Sequence, residues 1–119
     1  MPKTNTEFGD IFRVLGDPKR LAIFRLLLQG VQCNCEIGDN LNMPMNLISH
    51  HLKVLRNAGL VNTERDVRDA RWIYYSVNRR AISELRGQLD GLLAAKRIQP
   101  RQPKCGPRVR SRKPVASRA

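Results

Sequence analysis

The most constraining feature of this sequence is a pair of short helical patterns separated by Asn42-Met43-Pro44. The first pattern covers residues 34–41, where Asn34 can cap the helix, and the proline prevents its continuation. The second begins near Met45 and stops at Asn57-Ala58-Gly59, where the glycine can take a left-handed conformation. The apolar residues spaced for burial are Ile37 and Leu41 in the first helix, and Ile48, Leu52 and Leu55 in the second. This arrangement predicts a helix-turn-helix, whose second helix usually enters the major groove of DNA.

The flanking patterns extend this motif to a winged helix. Thr4 and Glu7 have capping-box spacing before a short apolar helix that ends at Gly16. Asp17-Pro18 then starts a second helix, which continues to Gly30. After the motif, residues 60–65 and 71–77 are β-prone and predict a hairpin, with a loop at 66–70. A last helix over about 79–95 gives the order ααααββα, a mostly helical fold with one β-hairpin.

Charge divides the chain into two parts. Its formal net charge is +12, and residues 96–119 hold nine basic residues and no acidic one. We therefore predict a folded domain at 1–95 and a disordered basic tail at 96–119, which contains Cys105. The tail could lie along DNA phosphates, or it could be only a solubilising extension. No apolar run is long enough to span a membrane and no secretion signal is visible, so we expect a cytoplasmic protein with reduced thiols.

Three segments together resemble the ArsR/SmtB family of metalloregulatory repressors. They are Asp17-Pro18-Lys19-Arg20-Leu21, the pair Cys33-x-Cys35, and the run from Ile48 to Leu60, which reads ISHHLKVLRNAGL. A Trp-x-Tyr-Tyr second wing strand adds to the likeness, which covers about residues 6–95. The resemblance implies a homodimer built from the first and last helices. It also implies binding to double-stranded operator DNA, and release of that DNA when a metal or metalloid binds.

Helical geometry selects the residues that would face DNA. If Ile48, Leu52 and Leu55 point inward, the opposite side of the helix faces the groove. The side chains predicted to contact DNA from this helix are Asn46, Ser49, His50, Lys53 and Arg56, of which Asn46 and Ser49 suit base edges, and Lys53 and Arg56 suit phosphates. From the hairpin loop, Arg68 and Arg71 would reach the minor groove or the backbone.

Cys33 and Cys35 form the candidate inducer site. At a helix start, free backbone N–H groups favour the thiolate, which is the form that binds soft ions. Residues i and i+2 diverge on a regular helix, so one ion can use both sulfurs only if the helix start is non-helical or unwinds. Unwinding would disturb the reading helix and lower its affinity for DNA. Because trivalent arsenic prefers three sulfurs, we expect Cys33, Cys35 and Cys105 to bind As(III) or Sb(III) as the inducer.

Other functions remain open at this level. The resemblance to arsenical repressors would place a third cysteine where Gly38 stands, so a two-thiol site for methylarsenite is an alternative. A repressor that responds to cadmium, lead or zinc, or to thiol oxidation, is another. His50 and His51 point about 100° apart on a helix and cannot share an ion, and His51 is expected to pack inside. No nucleophile with its partners is readable, so we expect no enzyme activity and no organic cofactor.

Overall fold

The computed structural model describes residues 5–100 and 102–107. Its helices and strands, in chain order, are α1 (Asn5–Leu15), α2 (Pro18–Leu27), β1 (Gln32–Cys33), α3 (Asn34–Leu41), α4 (Met45–Asn57), β2 (Val61–Arg65), β3 (Ile73–Val77) and α5 (Arg79–Leu93), followed by a 3-10 turn at Ala95–Arg97. The chain divides into two units, Met1–Gln88 and Leu89–Ala119. The domain limit at residue 95 stays a prediction. Thr4, and residues 108–119 of the predicted tail, lie outside the described residues.

A three-stranded antiparallel sheet contains the predicted hairpin and one further strand. Its strand order is β1-β3-β2. The hairpin is confirmed, with β2 and β3 paired from Val61 opposite Val77 to Arg65 opposite Ile73. The predicted winged-helix order ααααββα is confirmed, and the structure adds the short strand β1 before α3, whose Cys33 lies opposite Tyr74 on β3. A strand of two residues has no alternating pattern, so only its pairing partner reveals it.

The core of the first unit is built around α4. Ile48, Leu52 and Leu55 are at most 2% exposed, as their spacing predicts. The other buried apolar residues of the cluster are Ile11, Ile23, Phe24, Leu27, Ile37, Leu60 and Val61. These residues come from α1, α2, α3 and the start of β2. The reading helix is therefore held by packing on one side, and its opposite side remains free.

Local hydrogen bonds set where the helices begin and end. The Asp17 carboxylate accepts from the backbone N–H groups of Lys19 and Arg20 at 2.9 and 3.0 Å, and Pro18 opens α2, as predicted. Gly59, with φ of +80°, ends α4 in the predicted left-handed conformation. Two predicted limits were wrong: α2 ends at Leu27 and not at Gly30, and the N-cap of α3 is Cys33 and not Asn34.

The last helix is less buried than its apolar stripe predicts. Ile82 and Leu85 pack partly against the core, but no residue of α5 is fully buried. Leu92 and Leu93 are 57% and 67% exposed. Helical spacing identifies an apolar stripe, but it does not say whether the protomer itself supplies the surface that covers it.

Candidate DNA-binding surface and cysteine site

The outer side of α4 carries the predicted reading residues. The exposed side chains there are Asn46, Ser49, His50, Lys53 and Arg56. They alternate with buried Ile48, His51, Leu52 and Leu55 in the order that helical geometry predicts. Asparagine and serine can exchange hydrogen bonds with base edges, while the two cations suit phosphate oxygens. The exposure of this face is therefore confirmed, and its contact with DNA stays a prediction.

A groove between α4 and β3 lies beside this face. Its volume is about 220 Å³, and it is lined by Ser49, Leu52, Lys53, Arg56 and Tyr75. The lining includes two cationic side chains and two residues with hydroxyl groups, and such donors bind phosphate oxygens. The groove is thus suited to a stretch of DNA backbone next to the bases that α4 would read.

His51 connects the reading helix to α2. It is buried, and its Nδ1 lies 3.3 Å from the guanidinium Nη1 of Arg20. The same arginine donates through Nε to the backbone carbonyl of Val14 at 2.7 Å. His50, in contrast, is exposed. The prediction that His51 is packed inside is confirmed. Its ring contacts Arg20 of α2, and Arg20 in turn bonds to Val14 of α1.

Burial gives His51 a testable effect on stability. It lowers the pKa of the imidazole, and this outweighs Asp17, whose negative charge raises that pKa. The unfolded chain, with a histidine pKa of about 6.5, then takes up a proton before the folded chain does. We expect the free energy of unfolding to fall as the pH drops below about 6.5, until the folded-state pKa is passed. The carboxylates of Asp17, Glu36 and Asp69 have lowered pKa values, so their protonation changes the free energy of unfolding only at more acidic pH.

Urea unfolding between pH 7.5 and 5 measures this effect, with His51→Gln as the matched control. Glutamine can still hydrogen-bond to Arg20 but does not titrate. A pH slope that is equal in the two proteins would exclude His51 as its source.

The loop of the wing is organised by Asp66. Its carboxylate accepts from the backbone N–H groups of Arg68 and Asp69, both at 2.9 Å, and from the Tyr74 hydroxyl at 3.3 Å. Burial, followed by the negative charge of Asp66, raises the pKa of Tyr74 and keeps this hydroxyl a donor. These hydrogen bonds within the wing therefore order the loop.

The two wing arginines differ in their surroundings. Arg71 is paired with Asp69, with its Nη2 2.7 Å from one carboxylate oxygen and its Nε 3.0 Å from the other. Arg68 is exposed and forms no ion pair with another residue in the described ranges. While Arg71 stays on Asp69 it can offer a phosphate only its remaining N–H donors, and its charge is partly balanced, whereas Arg68 has neither restriction. Arg68 is thus the better placed of the two predicted wing contacts.

Cys33 and Cys35 lie at the junction of β1 and α3. Cys33 is 7% exposed and has an extended backbone, with φ of −84° and ψ of 163°, while Cys35 is exposed within the first turn of α3. The backbone N–H of Cys33 donates to the Glu36 carboxylate at 2.9 Å, and this bond lowers the pKa of Glu36. The helix start is therefore already non-helical at one of the two thiols, which is the first of the two alternatives by which one ion could use both sulfurs.

The structure does not test the predicted three-sulfur site. Cys105 is exposed and belongs to the second unit, whereas Cys33 and Cys35 belong to the first. Within residues 5–100 and 102–107, no three His, Cys, Asp or Glu side chains are grouped so that they could hold a metal ion. A contribution of Cys105 thus remains a prediction.

Comparison with known proteins agrees with this geometry. The family described as "Bacterial regulatory protein, arsR family" matches residues 17–63, from the cap of α2 into β2. An uncharacterized HTH-type transcriptional regulator of Methanocaldococcus jannaschii is 37% identical over 71% of this chain and 92% of its own length. The arsenical resistance operon repressor of Bacillus subtilis is 32% identical over 62% of this chain and 69% of its own. This chain belongs to the ArsR family. The crystal structure of an ArsR family transcriptional regulator, 18% identical, has the same fold, with a TM-score of 0.67 over 83% of this chain and 99% of that one.

Membership in the ArsR family confirms the resemblance that the sequence motifs carry. This protein is a transcriptional repressor of the winged-helix type, it binds DNA, and it is not an enzyme. None of the helices described here is long and apolar enough to cross a membrane.

Two features of the ArsR-family site were missed from the sequence. Cys33 pairs with the wing strand β3, and the Asn78 side chain joins the end of α4 to the start of α5. Asn78 donates to the Gly59 carbonyl at 3.0 Å and accepts from the Ala81 N–H at 3.2 Å. The only sequence signal for Asn78 was its position as a capping residue just before α5.

Proposed function

We propose that this protein is an As(III)- or Sb(III)-responsive repressor, which binds operator DNA as a homodimer and leaves it when Cys33, Cys35 and Cys105 bind the inducer. The observation that carries the proposal is the placement of two thiols where α3 meets the wing strand β3. The printed name of the Bacillus subtilis relative, an arsenical resistance operon repressor, supports the same inducer. A protein with this role acts in the cytoplasm, where the DNA is.

Two physical connections lead from the thiols to the DNA-binding elements. Cys33 is opposite Tyr74 on β3, and Tyr74 bonds to Asp66, which organises the wing loop. Cys35 is in α3, whose C-terminal turn leads through Asn42 and Pro44 directly into α4. We expect inducer capture by both sulfurs to move Cys33 relative to Glu36. Because these two residues form the cap of α3, that movement disturbs the start of the helix. The wing and the reading helix are then displaced together.

A homodimer is supported by apolar side chains that the protomer leaves exposed. On α1, Phe12 is 47% exposed and its ring lies 4.8 Å from that of Phe8. On α5, Leu92 and Leu93 are also exposed. Apolar side chains that are exposed together as a patch mark interaction surfaces in many proteins, and a second copy of this chain could cover them. Sedimentation equilibrium tests this assembly directly.

Release of DNA by arsenite tests the proposed function. A duplex is first selected from a random library for tight binding, and its fluorescence anisotropy is followed with fully reduced protein. We expect micromolar arsenite or antimonite to weaken binding by about 5- to 150-fold, the usual range of allosteric coupling. The same assay is repeated with hydrogen peroxide and with cadmium in place of arsenite. Release by either of them without release by arsenite would contradict the proposed inducer.

The Cys105→Ser variant separates the third sulfur from the other two in the same assay. We expect operator binding to be unchanged, because Cys105 lies outside the DNA-reading unit. A weaker response to arsenite supports the three-sulfur site. A response identical to that of the unmodified protein would remove Cys105 from it.

A further inference from the structure

Met45 is the one large apolar side chain that α4 leaves exposed, in a helix that the structure describes completely. It is the first residue of the helix and is 41% exposed. The other large apolar side chains of α4 are buried or half-buried, namely Leu47, Ile48, Leu52, Val54 and Leu55. A single exposed apolar side chain is ordinary on a protein surface, so its position decides whether it has a role.

Helical geometry places Met45 at the edge of the reading face, on the side of the groove between α4 and β3. At about 3.6 residues per turn, residues four positions apart differ by about 40° around the axis, so Met45 lies one turn before Ser49 on the same side. Ser49 lines the groove together with Lys53 and Arg56. In a helix-turn-helix, the first residues of the second helix contact base edges. Met45 is therefore expected next to bases, whereas the two cations suit phosphates.

The lack of a side chain at Gly38 lets Met45 rest on α3. A methyl group on Gly38 would lie 3.7 Å from the Met45 Cε and 3.6 Å from the Met43 carbonyl oxygen, which are ordinary contact distances. The terminal methyl of Met45 thus lies close to the backbone of α3, beside the turn. This contact favours one position of a flexible side chain, while a large part of its apolar surface stays exposed.

The base feature that suits an apolar side chain is the methyl group of thymine. In the major groove thymine presents a C5 methyl beside its O4 acceptor, and apolar contact with this methyl distinguishes it from the other bases. The polar groups of Asn46 and Ser49 recognise hydrogen-bonding atoms, and those of Lys53 and Arg56 recognise charge. Met45 adds a different type of recognition to the same face.

We propose that Met45 selects thymine in the bound DNA, through contact between its thioether side chain and the C5 methyl group of a thymine in the major groove. The inference goes beyond the proposed function, because it concerns the DNA sequence that the repressor reads and not its inducer. The contact removes apolar surface of both groups from water. Burial of one methyl-sized group corresponds to about fourfold in affinity.

Replacement of single thymines by deoxyuridine tests this contact. Uracil pairs with adenine as thymine does and lacks only the methyl group. The reduced full-length protein is titrated by fluorescence anisotropy against the selected duplex, and against duplexes in which each thymine in turn is replaced by deoxyuridine. We expect at least one replacement to weaken binding by about two- to fivefold. The proposal is overturned if no replacement weakens binding.

Two substitutions of Met45 assign the methyl contact to this residue. Met45→Gln keeps an unbranched side chain of similar helix propensity, but its polar end should lose the contact, so the thymine and uracil duplexes should bind equally. Met45→Leu keeps an apolar side chain and should keep the preference for thymine. The readout is a ratio of two affinities of one protein, so a partial loss of folded protein affects both duplexes alike. A preference in Met45→Gln as large as in the unmodified protein would assign the methyl to another residue and overturn the proposal.

Gly38→Ala provides the matched control on α3. The added methyl group fits at ordinary contact distances, and alanine favours the helix. We expect this variant to keep the preference for thymine, and urea unfolding verifies that each variant folds. No arsenite is present in these titrations, so their outcome is independent of the proposed inducer.

Discussion

Replacing both Cys33 and Cys35 by serine is expected to abolish the release of DNA by arsenite while leaving operator binding within about twofold of the unmodified protein. The response is lost because serine oxygen does not bind soft trivalent arsenic as thiolate sulfur does. The whole coupling, about 5- to 150-fold in DNA affinity, therefore disappears. Fluorescence anisotropy with and without arsenite measures both quantities on one sample.

Serine is a suitable replacement at this junction for a structural reason. Residue 33 is the N-cap of α3, and serine is among the preferred residues at that position. The bond from the backbone N–H of residue 33 to Glu36 does not depend on the sulfur. We therefore expect α3 and the pairing of β1 with β3 to persist in the variant.

Two single variants and one control complete this test. Cys33→Ser and Cys35→Ser should each lose most of the response, because each removes one of the three sulfurs of the proposed site. Ser49→Ala, which changes an exposed side chain of α4 and no thiol, serves as the control that should keep the response to arsenite. Full release of DNA from the double variant at micromolar arsenite would show that the inducer binds elsewhere, and the proposed mechanism would fail.

Ile48→Ala is expected to lower the stability of the fold and Asn46→Ala to leave it nearly unchanged, although the two residues are only two positions apart on α4. Ile48 is 0% exposed in the centre of the core. Its truncation should lower the free energy of unfolding by about 2–5 kcal/mol through lost burial and a residual cavity. Asn46 is exposed on the reading face. Its truncation should leave stability within about 0.5 kcal/mol, because alanine favours the helix and no core contact is lost.

The same pair should differ in DNA binding. Asparagine can bond to two atoms of an adenine edge, and such a contact contributes about 1–3 kcal/mol of discrimination. We expect Asn46→Ala to lose about 5- to 150-fold in affinity for the selected duplex, with little change for a random one. Urea unfolding and anisotropy measure the two properties. Equal losses on selected and random DNA would show that Asn46 does not read bases.

The reading helix shows how much of the site local sequence could predict. The burial of Ile48, Leu52 and Leu55, and the exposure of Asn46 and Ser49, follow from a period of 3.6 residues once the helix begins at Met45. The capping of α2 by Asp17 and the end of α4 at Gly59 follow from backbone preferences of single residues. These predictions needed no knowledge of distant parts of the chain, and the structure confirms them.

The surroundings of the thiols could not be predicted in this way. Cys33 pairs with Tyr74, His51 meets Arg20, and Trp72 lines a cleft beside each of the two cysteines, although these partners are far apart in sequence. A strand of two residues carries no periodic signal, and a wing loop can bring Trp72 to the cysteines only after the sheet has formed.

Local sequence thus determined the helix-turn-helix, the exposed face of α4 and the presence of two thiols at a helix start. Only the tertiary structure decided that those thiols adjoin the wing and an indole. The physical reason is that helical periods and caps depend on neighbouring residues, whereas strand pairing and side-chain contacts depend on how distant segments pack.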